Sequence, residues 1–327
     1  MIKIDKLFIH GRYSFDNVLH IYNTASGIEF NAVVKKITIA FRVIPNQQPN
    51  AWLRAIIDNK TFIEIKTKEE TFSQVLSFDK EEVHNIKILK VSEAIESYVD
   101  IDDIDLDGYY LDKPKYDKTF LVLGDSTVSA YGLLGKNGED KTLFDTDGLK
   151  GFAYLTSKAF DASMNSLNGS GWGLCFSPWT TPQRRPLLGI YDRVAPLSLT
   201  FYDVKQINPK VIIISLGTND SYYFTLNSES KTKEELINEF KNDFHKLLVR
   251  LKEDFGSIPI FMVYGAMREA HNYAVMHDIF LENKKQFNIH EVKLEGDGNG
   301  VSGHPSLSSH ESMSKVLIAK IKGVINE

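Results

Sequence analysis

The sequence predicts an α/β protein in two parts: an antiparallel β-sandwich first, then a three-layer domain on a mostly parallel sheet. Up to about Val91 the apolar residues fall in short runs rich in Ile, Val, Phe and Thr, often alternating with polar ones. From about residue 117 the runs become nearly continuous, end in glycine, and alternate with helical periodicity. A chain of 327 residues also exceeds the usual size of one hydrophobic core.

In the first part the strand-like runs are KLFIHG, GIEFNAVV, KITIAFRV, AWLRAII, KTFIEIK, TFSQVLSF and HNIKILKV, separated by polar turns such as NTASG and PNQQPN. Short strands at close spacing build sandwiches. The acidic stretch DIDDIDLDGYYLDKPKYD, broken by Pro114, reads as a turn-prone connection and sets the domains at 1–112 and 113–327. Beyond it, KTFLVLG, KVIIISLG and IPIFMVYG read as strands buried on both faces. Between the last two, Leu236, Phe240, Phe244, Leu247 and Leu251 form one apolar helical face closed by Gly256. A final helix repeats the pattern through Met313, Leu317 and Ile321.

Composition narrows the function. With 38 basic and 43 acidic residues the formal net charge is -5, and no Lys/Arg block stands out to follow a phosphate backbone, so no nucleic-acid partner is expected. The opening stretch carries Lys3, Asp5 and Lys6 without a signal-like apolar run, and nothing later approaches a membrane span. A cytoplasmic protein with no membrane partner is expected of the chain as given. Cys175 is the single cysteine, which excludes an internal disulfide and a cysteine-based zinc site.

Three polar constellations sit where loops leave the sheet, the place where ligands gather in parallel α/β folds. Gly124-Asp125-Ser126 follows the strand TFLVL; read alone it is a turn with helix-capping residues. SLGTND ends at Asp220 and offers the Asn219 amide, a donor suited to a tetrahedral oxyanion. GVSGHPS precedes the last helix and carries His304, one of nine histidines, set between Gly303 and Pro305. A neutral imidazole there would take the Ser126 Oγ proton and return it to a leaving alcohol. His310 reads as structural. A glycine-rich loop, NGSGWG, adds a backbone that can approach a substrate closely.

GDS, a glycine-rich loop, GTND and a carboxyl-terminal histidine, in that order, resemble the blocks of the SGNH (GDSL) hydrolases. The resemblance implies Ser126 as nucleophile, His304 as base, and an oxyanion hole of the Ser126 N–H, the Gly171 N–H and the Asn219 side chain, with Gly169 as the rival glycine. HGRYSF followed by NTASGIEFNAVV, then SGWG, IYDRV and HPSLSSHESM, is similar to one branch, carbohydrate esterase family 2. Its members place a jelly-roll sandwich before the SGNH domain and deacetylate plant polysaccharides. One feature departs from most of the superfamily: the acid three residues before the histidine is replaced by Val301, and Ser302 follows it. A backbone carbonyl orienting His304, or Asp297 looping back, are the two remaining options, the carbonyl being preferred.

The expected activity is a serine esterase removing O-acetyl groups from xylo- or manno-oligosaccharides or a related glycan, with no metal and no cofactor. The alternatives are an esterase or thioesterase on a substrate such as a cell-envelope acetyl group, and a non-catalytic glycan-binding module. Trp172 and Met267 are expected to contact substrate, as walls of the acyl pocket.

Overall fold

The computed structural model describes residues 2–67, 69–177, 186–226, 231–267 and 270–325, without the side chains of 226 and 270–272. The first part is an antiparallel sheet of β1 (Phe8–His10), β2 (Tyr13–Phe15), β3 (Leu19–Ile21), β4 (Gly27–Pro45), β5 (Trp52–Ile57), β6 (Thr61–Lys66), β7 (Thr71–Lys90) and β8 (Ser97–Tyr110). The order is β2-β3-β8-β4-β7-β5-β6, with β1 on the beginning of β4. Runs that read as separate strands in the sequence are continuous: GIEFNAVV and KITIAFRV are both β4, and TFSQVLSF and HNIKILKV are both β7. A register shift between Val34 and Lys36 explains why they look separate. Ile28, Phe30, Ala32 and Val34 are buried before it and Ile37, Ile39, Phe41 and Val43 after it, so the bulge changes the parity while the same face stays inward.

The acidic stretch is corrected by the structure: most of it is strand β8, paired to both β3 and β4. Val99, Ile101 and Ile104 enter the core while Asp105 and Asp107 face outward, so the aspartates mark a solvated face rather than a break.

The second part is a parallel sheet of β9 (Thr119–Gly124), β10 (Ser163–Asn168), β11 (Pro209–Ser215), β12 (Ile260–Tyr264) and β13 (Ile289–Lys293), in the order β10-β9-β11-β12-β13. Its helices are α1 (Ser126–Ser129), α2 (Phe152–Ala159), α3 (Thr218–Leu226), α4 (Lys233–Phe255), α5 (Ala270–Asn283) and α6 (Leu307–Ile325). Alternation along the strands builds three layers. Phe120, Val122, Val211, Ile213, Phe261 and Val263 pack with α2 and α6, while Leu121, Leu123, Ile212, Ile214, Ile260 and Met262 pack with α4 and α5.

Strand β10 escapes a hydrophobicity reading because SMNSLN is polar yet wholly buried. Its polar side chains meet the first sheet and neighbouring loops: Asn165 accepts from Arg12 Nε at 3.4 Å, and Ser166 Oγ donates to the Thr24 carbonyl at 3.4 Å. Arg12, fully buried, also donates to the carbonyls of Tyr191 and Arg193 at 2.7 and 2.6 Å. A second buried link joins Arg54 Nη2 to Asp147 Oδ2 at 2.7 Å. These polar seams fix the two sheets relative to each other with directional contacts.

Candidate active site

The order β10-β9-β11 makes the chain leave β9 in opposite directions along the sheet, which opens a crevice between the ends of β9 and β11. Ser126 sits after β9 and Asn219 after β11, so both face that crevice. Gly124 permits the sharp turn: a Cβ there would lie 2.2 Å from Val128 Cγ2. Asp125 caps the single turn α1, its carboxylate accepting from Thr127 N at 2.9 Å and Thr127 Oγ1 at 2.8 Å. Burial pushes the Asp125 carboxyl up to about 6.

Ser126 and His304 are 178 residues apart in sequence, yet His304 Nε2 lies 2.9 Å from Ser126 Oγ. The other ring nitrogen, Nδ1, is 3.0 Å from the Val301 carbonyl. A carbonyl only accepts, so Nδ1 carries the hydrogen and Nε2 turns its lone pair to the Ser126 hydroxyl. A backbone oxygen thus sets the tautomer that a carboxylate sets in a Ser-His-Asp triad. Asp297 is otherwise engaged, accepting from Ser306 N at 2.9 Å and Asn299 N at 3.2 Å. Burial pulls the His304 imidazole down to about 4, the carbonyl bond opposing this and the Lys141 charge adding to it.

Asn219 is buried and donates one amide hydrogen from Nδ2 to the Trp172 carbonyl at 3.0 Å, leaving the other for the cavity. Gly169 N–H is engaged with the Gly124 carbonyl at 3.4 Å. Gly171 lines the cavity in a left-handed conformation, φ +83°, and its N–H has no partner among the described residues, which favours it over Gly169 as a donor.

The cavity is about 530 Å³ and is lined by Ser126, Gly171, Asn219, Met267 and His304, together with Tyr131, Ser170, Thr218, Tyr222 and Ser302. Trp172, expected from the sequence to contact substrate, does not line it. Its indole is fully buried in the core between the sheet and α4, so it packs there and does not contact the cavity. The expected substrate contact by Trp172 is therefore corrected; it is the backbone carbonyl of this residue that serves the site, by holding Asn219.

Two further residues shape the site. Asp220, fully buried, accepts from the backbone N–H groups of Leu174, Cys175 and Phe176 at 2.9, 2.9 and 2.8 Å and so ties the glycine-rich loop to α3. Its place as the last residue of GTND was the only sequence signal for it. Tyr131 lays its ring against the imidazole of His304, centroids 4.5 Å apart. Among the described residues no group of three or more His, Cys, Asp or Glu is placed to hold a metal ion.

A hydroxyl polarised by a neutral imidazole, facing unpaired N–H donors in a partly enclosed cavity, is equipped for acyl transfer. Residues 120–288, more than half of the chain, match the family described as GDSL-like lipase/acylhydrolase. The chain belongs to this family. Residues 9–114 match the carbohydrate esterase 2 N-terminal domain, which makes this a GDSL-like family member with a β-sandwich of the carbohydrate esterase 2 type.

Among curated proteins this member is similar to the cellulase/esterase CelE of Acetivibrio thermocellus, 26% identical over 83% of this chain and 34% of that protein. It is also similar to an acetylxylan esterase/glucomannan deacetylase of Cellvibrio japonicus, 27% identical over 66% of this chain and 64% of that one. The chain thus spans about a third of the first relative and somewhat under two thirds of the second. A solved family two carbohydrate esterase from Clostridium thermocellum, in complex with cellohexaose, has the same fold, with a TM-score of 0.86 over 98% of this chain and 99% of that chain at 23% identity.

Proposed function

We propose that this protein is a serine esterase that removes O-acetyl groups from carbohydrate, with Ser126 as nucleophile and His304 as general base. The observation that carries the reading is the 2.9 Å contact between His304 Nε2 and Ser126 Oγ inside a cavity that Asn219 and Gly171 also line. Ser126 Oγ attacks the acetyl carbonyl carbon as His304 Nε2 takes its proton. The N–H groups of Ser126 and Gly171 and the Asn219 amide receive the oxyanion. Collapse expels the sugar oxygen, which takes the proton from His304, and a water deprotonated by His304 then releases acetate and restores Ser126.

The relatives named as acetylxylan esterase and glucomannan deacetylase support an acetylated glycan as substrate, with xylo- or manno-oligosaccharides the first choice. Met267, which lines the cavity with an apolar side chain, is our choice for the wall of the acetyl group. Tyr222 lines the same cavity and offers a ring to a sugar.

Acetate release from acetylated xylo- and manno-oligosaccharides, set beside a series of aryl esters of growing acyl length, tests the reading. Acetate is released from at least one glycan, and turnover falls steeply beyond two or three carbons. Equal turnover of long acyl chains, with no acetate from any glycan, would instead favour a lipid or thioester substrate. Asn219→Ala retains measurable activity but loses about 10²- to 10³-fold in kcat, the cost of one oxyanion donor. Steady-state kinetics on an aryl acetate reads that loss.

A further inference from the structure

The loop between β7 and β8, residues 91–96, is wholly buried and reaches from the β-sandwich to the cavity of the parallel-sheet domain. Its backbone is held firmly. Lys90 Nζ donates to the carbonyls of Ser92 and Glu93 at 2.9 and 2.7 Å, and Glu93 N–H donates to Glu96 Oε2 at 3.1 Å. The Glu93 side chain, with no exposed surface, accepts a hydrogen bond from Ser170 Oγ, and Lys141 Nζ stands 3.8 Å from its other oxygen. Ser170 lines the cavity and immediately precedes Gly171.

We infer that Glu93 is a positioning residue of the oxyanion hole, holding the Ser170–Gly171 peptide so that Gly171 N–H faces the reacting carbon. The inference rests on the esterase reading above. That N–H lies in one rigid plane with the Ser170 carbonyl, so fixing Ser170 fixes the direction of the donor. Gly171 itself has no side chain with which to hold its left-handed conformation. Asp220 anchors the loop three residues further on, and Glu93 anchors its other end. Burying a carboxylate is costly, and apolar side chains would close the seam between the sheets at lower cost, so a seam role alone does not account for Glu93. The same carboxylates serve the base: Glu93 and Glu96 hold Lys141, whose ammonium lies 4.8 Å from the centre of the Tyr131 ring that packs on His304.

The test compares wild type, Ser126→Ala, Glu93→Ala, Glu93→Gln, Ser170→Ala and the Glu93→Ala/Ser170→Ala pair on an aryl acetate. Glu93→Ala and Ser170→Ala each lower kcat by about 10²-fold while KM changes by less than about threefold, as expected of a donor displaced only where charge develops. The pair is no worse than the poorer single variant, because both variants remove the same Glu93–Ser170 hydrogen bond. Glu93→Gln, whose amide oxygen still accepts from Ser170, recovers most of the loss. Should Glu93→Ala fail to fold, Ser170→Ala decides alone. Wild-type kcat in Ser170→Ala, or Glu93→Gln no better than Glu93→Ala, would overturn the inference and leave the esterase reading standing. Absence of Ser126-dependent turnover in the wild type would overturn both.

Discussion

Ser126→Ala lowers kcat on an aryl acetate by about 10⁶-fold, the scale on which removal of a nucleophile acts in serine hydrolases. His304→Ala costs a similar factor, and the double variant falls no further, because the two residues act as one unit through a single hydrogen bond. The oxygen removed from Ser126 makes its side-chain contact with His304 and lines the cavity, so the variant folds and melts as the wild type does. Parallel kinetics and thermal melts check both halves of this expectation. A Ser126→Ala protein that melts normally and still turns over at a tenth of the wild-type rate would remove Ser126 from the chemistry.

The second large effect is on pH. The base works only as a neutral imidazole, and burial holds that of His304 down at about 4, below the 6.5 of a free side chain. In a triad the carboxylate favours the imidazolium and raises this value; the Val301 carbonyl carries no full charge and offsets burial only in part. Protonation inactivates the base, and the folded value is depressed, so activity persists as the solution is acidified through pH 6 and 5 and is lost near pH 4. The limb of the kcat/KM profile that belongs to His304 is therefore centred near 4. An acid limb centred near 6.5 would mean that His304 is solvated or held by an acid in the working enzyme.

The parts of the fold that could be read from sequence are those whose burial is simple. Strands β9, β11 and β12 are buried on both faces and appear as unbroken apolar runs, and α4 and α6 are buried on one face and show helical spacing. Strand β10 was hidden because its burial is against polar partners such as Arg12, and β8 because its aspartates line the outer face of a sheet. The site followed the same logic. Ser126, Asn219 and His304 stand at strand or helix ends within short motifs, and Val301 announced a missing acid. Glu93 and Ser170 meet across 77 residues and two domains; Ser170 lies in the SGWG motif, but Glu93 lies in none, so the sequence gives no sign of their contact. Trp172 misled because its neighbours in the chain line the cavity while its own side chain turns into the core.

The central claim is that Ser126 Oγ becomes acylated through His304. Acid quenching during turnover of an aryl acetate, followed by mass analysis of the peptide carrying Gly124-Asp125-Ser126, tests it most directly. The account predicts one acetyl group on Ser126, formed in a burst with the released phenol and absent from Ser126→Ala. Steady turnover with no acetyl at Ser126, or an equal acetyl signal at another residue in the Ser126→Ala protein, would contradict it.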